Sequence, residues 1–282
     1  MIACFGEVLV DCLPDKNLIG GAPFNVAINL TRLGREVRFI SQIGNDDFGK
    51  SIYTLAQKEH INTSVSVSEQ LATGYVSVNF TNNEPQYTIQ ENTAWNYIQY
   101  KTLDSYPSHF IFGSLATYFQ PNLKTFKKYK NLFPQALFVC DLNIRKPFIT
   151  DDHIIFCLEN ADFLKINEEE LSELYRIFSL TDENQLFHYL LQTFNVKYLL
   201  VTLGSQGAIF ISSSQKLKQP SSPISSSDFK DTIGAGDGFL SAFLHYWIDS
   251  SKPQYALEKA LAYASKICQN EGAILPNQDL IA

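Results

Sequence analysis

Short apolar runs alternate with helical segments along most of the chain, and this alternation constrains the fold more than any other feature. The runs are Ile2–Val10, Val37–Ile43, His109–Phe112, Ala136–Cys140, Phe163–Ile166 and Tyr198–Thr202. Several are apolar nearly throughout, as expected of strands buried on both faces of a parallel sheet. Helices are predicted between or after them at Pro23–Leu33, Phe48–Glu59, Pro121–Phe133, Glu168–Tyr175, Asn184–Phe194, Asp237–Trp247 and Pro253–Asn270. We therefore expect an α/β fold with a doubly wound, mostly parallel sheet flanked by helices.

The segment Ser64–Tyr100 breaks this alternation and contains no helical pattern. Tyr75–Phe80 alternates polar and apolar residues, Thr81–Glu84 is a polar turn, and Gln86–Gln90 alternates again. This pattern predicts a β-hairpin. A hairpin inserted in an α/β chain is either a cover over a site or an ordinary antiparallel edge. A second polar stretch, Ser212–Ser227, is typical of a surface loop or a weak hairpin.

Charge and hydropathy exclude two classes of partner. The chain of 282 residues has 22 Lys and Arg against 29 Asp and Glu, a net charge of −7, and no basic block. A nucleic-acid partner is therefore not expected, because phosphate backbones require a basic face. The apolar stretches are much shorter than the roughly 18 residues that span a bilayer, so no membrane partner is expected.

The cysteines and the first residues favour a cytoplasmic location. Cys4, Cys12, Cys140, Cys157 and Cys268 are odd in number, and no pair has C-x-x-C spacing. We therefore expect neither a zinc site nor a disulfide framework. The chain opens without a basic segment or a cleavage site, and its start reads as a buried strand rather than a signal peptide.

Two segments could bind phosphate, and the first is rejected on charge. Gly44–Ser51 matches G-x-x-x-x-G-K-[ST], with a strand before it and a helix after it. However, Asp46 and Asp47 would lie inside the phosphate cradle. A unit charge ~5 Å from a phosphate charge is repelled by about 3 kcal/mol at an effective dielectric of ~20. The bulky Phe48 would also prevent close approach. We expect a strand-to-helix turn in which Asp46 or Asp47 caps the helix.

The second candidate is Asp231–Phe239, read Asp-Thr-Ile-Gly-Ala-Gly-Asp-Gly-Phe. Gly234, Ala235 and Gly236 open a long apolar helix, where exposed N–H groups and the helix dipole favour anions. Asp237 lies in the first turn, within reach of a bound anion. A carboxylate base beside an anion hole suits phosphoryl transfer. The alternative is that Asp237 merely caps the helix after a glycine-rich turn.

These segments resemble the PfkB (ribokinase-like) carbohydrate kinases over essentially the whole chain. Asp231–Phe239 is similar to the C-terminal signature of that family, and Gly20–Gly34 (Gly-Gly-Ala-Pro-Phe-Asn-Val-Ala-Ile-Asn-Leu-Thr-Arg-Leu-Gly) resembles its N-terminal signature. Ile43–Lys50, Lys165–Glu170 and Val201–Gly207 also resemble family segments. The family segment at Ile43–Lys50 accounts for the accidental P-loop match.

The resemblance implies one ribokinase-like kinase domain over residues 1–282. A small β-sheet lid, formed by about residues 11–20 and 63–102, would cover the sugar and exclude water. A homodimer formed through the lid is a further implication. Within the family, Gly6–Asp11, Gly20–Pro23 and Asp141–Arg145 are most similar to the fructokinase branch.

The resemblance also implies roles for residues on the sugar side. Asp11 and Asn25 would bind sugar hydroxyls, and Gly20 and Gly21 would let the backbone approach the sugar. Arg145 would hold the substrate or the transferred phosphoryl group through its fork of donors. The alternatives are a turn residue, a helix cap and a surface ion pair.

Catalytic, nucleotide and metal roles follow from the same resemblance. Asp237 would be the general base, and the amides of Gly234, Ala235 and Gly236 would act with Arg145 to stabilise charge. The implied ATP-binding residues are Asn143, Asn167, Thr202, Gly204, Gly207 and Gly236. The implied cation-binding residues are Asn167 and Glu170 for Mg²⁺ through water, and Asp231, Ile233 and Ala273 for a monovalent cation such as K⁺. The alternative for Asn167 and Glu170 is a capped helix start.

The sequence thus predicts an ATP-dependent kinase of a sugar hydroxyl, with fructose as the expected substrate. ATP, Mg²⁺ and the sugar are the expected ligands. One alternative is a kinase for ribose, a nucleoside or another furanose. Another is a non-catalytic sugar-binding regulator on the same fold, which the presence of Asp237 disfavours.

Overall fold

A computed structural model describes residues 1–81, 84–146 and 148–275. In chain order its strands are β1 Ile2–Phe5, β2 Leu9–Cys12, β3 Asn17–Gly20, β4 Val37–Gly44, β5 Asn62–Ser68, β6 Gly74–Thr81, β7 Glu84–Ile89, β8 His109–Gly113, β9 Leu137–Asp141, β10 Phe163–Asn167, β11 Tyr198–Thr202, β12 Ala208–Ser212 and β13 Lys216–Gln219. Its helices are α1 Ala22–Arg32, α2 Asp47–Lys58, α3 Ser114–Tyr118, α4 Gln120–Leu132, α5 Asp151–Asn160, α6 Glu168–Phe178, α7 Glu183–Thr193, α8 Ala235–Ser250 and α9 Pro253–Cys268.

The large sheet confirms the predicted fold class. Its strand order is β13-β12-β11-β10-β9-β8-β1-β4-β5. The seven strands from β11 to β5 pair in parallel, and only β12 and β13 are antiparallel. Alternate residues of one strand enter opposite cores, as strand geometry requires. On β8, Ile111 packs with α1, α8 and α9, whereas Phe110 and Phe112 pack with the aromatic side chains of α4.

The small sheet contains four strands in the order β3-β2-β6-β7. Strands β6 and β7 form the antiparallel hairpin that the alternating pattern predicts. The centre of its predicted turn, residues 82–83, lies outside the described residues. The predicted lid range begins at residue 63, but β5 pairs in parallel with β4 and belongs to the large sheet. Only β6 and β7 of that range join β2 and β3.

Predicted helices match observed ones to within a turn at each end, and three differences concern other elements. The run Ile2–Val10 is two strands in different sheets, and between them lies Gly6, where a side chain would overlap Pro23. Helix α5 and the short α3 are not predicted. Strand β13, inside Ser212–Ser227, pairs with β12 and makes the weak hairpin alternative the better one. In the described part of the chain, no helix is long and apolar enough to cross a bilayer.

Candidate active site

The carboxyl edge of the large sheet collects most of the predicted site residues. In open α/β sheets this edge is where ligands bind. Glu7 follows β1, Asp141 ends β9, Asn167 ends β10, and Thr202 ends β11. The start of α8 meets the same edge, since a Cβ on Gly236 would be 3.2 Å from Nζ of Lys165 on β10. Asp237 is near enough to Asp141 for the charge of Asp141 to act on it. Residues more than two hundred positions apart therefore share one cleft.

Helix α8 begins without a side-chain cap. Its N-cap residue is Gly234, with φ of 73° and no side-chain hydrogen bond. A side chain at Gly234 would overlap Ala273, so glycine is required there. The Ala235 amide donates to Thr232 O at 3.1 Å and closes the turn. The amides of Gly236 and Asp237 come next and, as in any first turn, lack an acceptor four residues earlier in the helix. These two amides are the donors that α8 offers to an external anion.

Asp237 is held by a side chain from the N-terminal half of the chain. Asn25, on the buried face of α1, donates through Nδ2 to Asp237 Oδ2 at 2.8 Å, and Asn25 Oδ1 has no partner. Burial raises the pKa of Asp237 to about 6, and the charge of Asp141 adds to this effect. Asn25, Lys165 and Arg145 oppose it. A carboxyl with this pKa is ionised near neutral pH but is more basic than an exposed aspartate, as suits a proton acceptor.

A buried ion pair lies beside the α8 amides. Lys165 Nζ is 2.9 Å from Asp141 Oδ1, and both side chains are nearly inaccessible to solvent. A Cβ atom built on Gly236 would be 3.2 Å from Lys165 Nζ. Burial lowers the pKa of Lys165, but the charges of Asp141 and Glu170 outweigh it and raise the pKa well above its ordinary value. A permanent positive charge therefore stands next to the open helix start.

Sequence reasoning assigned no role to Lys165. A signal was present, because Lys165 is the one charged residue in the apolar run Phe163–Ile166. A lysine in a strand buried on both faces needs a charged partner. The sequence does not identify Asp141 as that partner, since the two residues are brought together only by the pairing of β9 with β10.

A cavity of about 790 Å³ opens at the start of α8. Five predicted ATP residues line it: Asn167, Thr202, Gly204, Gly207 and Gly236. Lys165 lines the same cavity at the end next to Gly236. Its remaining wall includes apolar side chains, among them Ile224, Phe229, Phe239, Leu261, Ala264 and Cys268. The volume and the mixture of a polar end with an apolar wall suit a nucleotide.

Asn143, the sixth predicted ATP residue, does not line this cavity. It has a positive φ of 39° and lines a small separate cavity together with Glu7 and Asp141. Asparagine tolerates this backbone conformation better than most residues. The turn that Asn143 makes places Arg145 two residues further along, near the acidic side chains of the site.

Asn167 and Glu170 form a capping box at the start of α6. The Asn167 side chain accepts from the Glu170 amide, and Glu170 Oε2 accepts from the Asn167 amide, both at 2.9 Å. Glu170 Oε1 accepts from the Ile144 amide at 3.0 Å. Each carboxylate oxygen keeps a second lone pair, so Glu170 could still hold a metal-bound water. The capping alternative is therefore realised; Asn167 lines the nucleotide cavity whereas Glu170 does not, and a magnesium-bound water at this pair stays a prediction.

The predicted sugar residues lie where the small sheet meets the cleft. A Cβ on Gly20 would be 3.0 Å from Asp11 Oδ2, and one on Gly21 would be 2.6 Å from Glu7 O. Gly21 also has φ of 113°, which favours glycine. Burial raises the pKa of Asp11, and the charge of Arg145 opposes this shift. Asp11 and Arg145 are therefore close enough for their charges to interact.

The small sheet has one face on the core and one on the cleft. Val10 and Tyr75 pack into the core, where Tyr75 contacts Phe48 with ring centroids 6.4 Å apart. Strand alternation puts Asp11 on the opposite face, and the pairing register puts Leu18 and Val76 beside it. Asp11 is thus flanked by apolar side chains, an arrangement that suits a ring with both hydroxyls and C–H groups.

Arg145 carries a charge that the described residues do not neutralise. It is exposed and forms neither an ion pair nor a side-chain hydrogen bond within the described part of the chain. Its charge nevertheless lowers the pKa values of Glu7, Asp11 and Asp237. This placement differs from the surface ion pair considered as an alternative and leaves the guanidinium available to a ligand.

The two loops predicted to hold a monovalent cation meet in the structure. Asp231 Oδ1 accepts from the Ile233 amide at 2.8 Å, and Asp231 Oδ2 accepts from the Gly272 amide at 3.2 Å. The neighbouring Ala273 packs against Gly234. Asp231 thereby ties the loop before α8 to the loop after α9, and a cation at this junction stays a prediction.

Comparison with known proteins agrees with this geometry. Residues 2–280 match the pfkB family of carbohydrate kinases. Probable fructokinase-3 of Arabidopsis thaliana is 27% identical, with 94% of this chain and 84% of the relative covered. Fructokinase from Vibrio cholerae O395, solved with fructose, ADP and calcium, superposes with a TM-score of 0.82 at 20% identity over 96% of this chain and 94% of that one.

A second solved structure has the same fold but a different substrate. Aminoimidazole riboside kinase from Salmonella enterica, solved with aminoimidazole riboside and an ATP analogue, superposes with a TM-score of 0.82 at 22% identity. The alignment covers 98% of this chain and 97% of that one. Likeness at this identity shows the shared fold. Together with the family match over nearly the whole length, it shows that the chain belongs to the pfkB family of carbohydrate kinases and is an ATP-dependent sugar kinase.

Proposed function

We propose that this kinase transfers the γ-phosphoryl group of ATP to a hydroxyl of fructose, with Asp237 as the general base. One observation carries the proposal: the Asp237 carboxylate is held by Asn25 at the open start of α8, beside the buried ammonium of Lys165. The proton acceptor and the anion-binding donors thus stand at one point. Similarity to fructokinases supports fructose as the acceptor.

The acceptor sugar would lie between the small sheet and α1. Asp11 binds sugar hydroxyls, and Gly20 and Gly21 leave room for the ring at the edge of β3. Leu18 contacts its C–H face. The small sheet then acts as the lid, excluding water that would otherwise accept the phosphoryl group from ATP.

The transfer combines one proton acceptor with three sources of charge stabilisation. Asp237 accepts the hydroxyl proton as the sugar oxygen attacks the γ-phosphorus. The Gly236 and Asp237 amides donate to the phosphoryl oxygens, and Lys165 supplies a fixed positive charge beside them. Arg145 would add a further positive charge through its unpaired guanidinium. Both cations neutralise charge that spreads over the equatorial oxygens.

Two sets of residues would hold metal ions. Asn167 and Glu170 would hold the waters of Mg²⁺, which when bound neutralises charge on the ATP oxygens. The junction of Asp231, Ile233 and Ala273 would hold a monovalent cation such as K⁺ behind the α8 start.

The five cysteines are free thiols, which fits the reducing cytoplasm that we propose as the location of this kinase.

A panel of acceptors separates fructose from the riboside alternative. ADP release is measured with fructose, glucose, ribose, adenosine and aminoimidazole riboside. We expect kcat/KM for fructose to be well above that for every other acceptor. A site built around hydroxyls rejects analogues lacking them, since each unpaired buried polar group costs about 1–3 kcal/mol. A clear preference for ribose or a riboside would replace fructose in the proposal.

The Asp11 carboxylate offers a test of the sugar site. Asp11→Ala should raise KM for the sugar strongly, roughly 5- to 150-fold for a lost contact of about 1–3 kcal/mol. KM for ATP should stay nearly unchanged, because Asp11 does not line the nucleotide cavity. Asp15→Ala, an exposed aspartate in the same segment, is the matched control and should change neither constant. An unchanged sugar KM in Asp11→Ala would return Asp11 to a turn residue.

A further inference from the structure

A small cavity lies beneath the start of α1, separate from the nucleotide cavity. Its volume of about 10 Å³ is close to that of one water probe. Most of its lining is apolar, with Pro23, Ile111 and Phe112 among its walls. Two carboxylates, Glu7 and Asp141, also line it. Carboxylates in such surroundings require partners, and the partners available to these two differ.

Glu7 lacks the partner that Asp141 has. The Glu7 side chain is 3% exposed, and Oε2 has no hydrogen-bond partner. Asp141 Oδ2 is also without a partner, but Asp141 Oδ1 is paired with Lys165 at 2.9 Å. Within the described residues no cation is paired with Glu7. A buried carboxylate without a paired cation is strongly unfavourable, and such a group usually takes up a proton.

The charges that face Glu7 come from three elements. Asp237 of α8 and Asp141 of β9 are negative, and Arg145 of the loop after β9 is positive. Burial raises the pKa of Glu7 to about 7, and Asp237 and Asp141 add to this, while the Glu7 amide and Arg145 lower it. Asp237 is faced in turn by Asp141, Lys165, Arg145 and the Asn25 amide.

We propose that Glu7 is a positioning residue that works as a neutral carboxylic acid, so that the site can hold an ionised Asp237 and a triphosphate at the same time. An ionised Glu7 would repel both the Asp237 carboxylate and the triphosphate. Binding of the anionic nucleotide, in turn, strengthens the hold of Glu7 on its proton. The nucleotide and the proton therefore bind cooperatively, by reciprocal linkage.

Proton uptake on nucleotide binding tests this proposal without turnover. The proposal rests on the proposed binding of ATP beside α8, and the heat of the same calorimetric titration measures that binding directly. A non-hydrolysable ATP analogue with Mg²⁺ is titrated at pH 7.5 in two buffers of different ionisation enthalpy. We expect the wild type to take up a fraction of a proton, and Glu7→Gln, a neutral isostere, to bind the analogue with little or no uptake. Glu36→Gln, which removes an exposed carboxylate, should keep the wild-type uptake.

A second variant tests whether Asp237 is the group that takes up the proton. Uptake should persist in Asp237→Asn, because that variant retains Glu7. Loss of uptake in Asp237→Asn, or wild-type uptake in Glu7→Gln, would overturn the proposal. If Glu7→Gln does not fold, loss of uptake in Asp237→Asn would still overturn the proposal. The proposed function fails separately, through the acceptor panel, and leaves this binding experiment unaffected.

The pH dependence of ATP affinity adds a readout that a merely structural Glu7 would not change. Wild-type KM for ATP should rise as the pH increases from 6.5 to 8.5, because Glu7 ionises over this range. In Glu7→Gln the KM for ATP should stay nearly constant over the same pH range. A Glu7→Gln protein that is inactive at pH 6.5 although folded would show that Glu7 acts in its ionised form, contrary to the proposal.

Discussion

Two helix starts of this kinase have a phosphate-loop character, and only one of them is open. The turn into α2, within Gly44–Ser51, matches the P-loop pattern residue for residue. The turn into α8, within Asp231–Phe239, does not match it. Both place a helix N-terminus at a sheet edge, where unpaired amides attract negative charge. They differ in what satisfies those amides.

At the α2 turn, a carboxylate of the protein accepts hydrogen bonds from donors that could otherwise bind a phosphate. Asp46 Oδ1 accepts from the Gly49 amide at 2.8 Å and from the Thr73 hydroxyl at 2.6 Å, and Asp46 Oδ2 accepts from the Thr73 amide at 2.7 Å. The carboxylate thus occupies the position of a phosphate. A side chain at Gly49 would overlap Gly44 O, and one at Gly44 would be 2.6 Å from Leu71 O. The two glycines of the pattern are therefore required by packing.

The α8 turn leaves its donors for a ligand. Gly234 provides no capping side chain, and Asp237 is held away from the helix amides by Asn25. The G-x-x-x-x-G-K-[ST] pattern alone does not distinguish these cases. The position of a carboxylate does, because an N-cap aspartate closes the anion site that the helix would otherwise offer.

Removal of the carboxylate at the open turn should have the largest effect on activity. Asp237→Asn should keep the fold and the ATP affinity but lower kcat by about 10²–10⁴-fold, as expected for loss of a general base. Steady-state kinetics with a saturating sugar measures this. Asp46→Asn, the equivalent change at the closed turn, is the matched control and should retain most of the turnover. Retention of more than a tenth of wild-type kcat in Asp237→Asn would show that Asp237 is not the base.

The closed turn should reveal its role in stability instead. Asp46→Ala removes a helix cap and the bonds to Thr73, so we expect a loss of about 1–2 kcal/mol in the free energy of unfolding. Denaturant unfolding measures it, and kcat should remain within a few-fold of wild type.

The pH dependence checks the cause of that loss. Burial raises the pKa of Asp46, but the hydrogen bonds from Thr73 and Gly49 outweigh it and lower the pKa. A depressed pKa means that the stabilisation is present above the unfolded-state value near 4 and is lost as the pH falls. The difference between wild type and Asp46→Ala should therefore shrink in acid. An equal loss of stability at every pH would contradict the capping role.

Local patterns predicted most of the elements, and long-range pairing decided the rest. Continuous apolar runs and flanking caps place the parallel strands and the long helices, since each signal is contained in a few neighbouring residues. The single strand expected over Ile2–Val10 was wrong, because its two halves pair with different sheets, and the local apolar pattern does not reveal that pairing. Strand β5 has a hairpin-like composition, yet its pairing with β4 places it in the large sheet.

The site shows the same limit. Asp237 and the glycines before it are recognisable from spacing, because anion holes at helix starts are local devices. Lys165 and Glu7 were missed as participants, although both stand in apolar surroundings that make a charge conspicuous. Their roles depend on neighbours contributed by Asp141 and Asp237, which only the folded sheet brings near.

The smallest expected effect concerns the lysine that makes the closed turn look like a P-loop. Lys50 is 71% exposed, and its Nζ lies 3.1 Å from Asp47 Oδ1. An exposed pair of this kind contributes about 0–1 kcal/mol, and salt screens it. Lys50→Ala should therefore leave kcat, KM for ATP and the unfolding midpoint close to wild type.

A P-loop lysine would behave in the opposite way, because it contacts the transferring phosphates and its loss abolishes activity. Lys165 is the lysine that this kinase places beside its open helix start, so the two positions can be compared directly in one assay. Lys165→Met should lower kcat/KM for ATP by far more than Lys50→Ala does, since a buried charge next to phosphate acts at low dielectric. Circular dichroism of both variants would confirm that each is folded. A folded Lys50→Ala protein with almost no activity would restore the P-loop interpretation of Gly44–Ser51 and remove the distinction between the two turns.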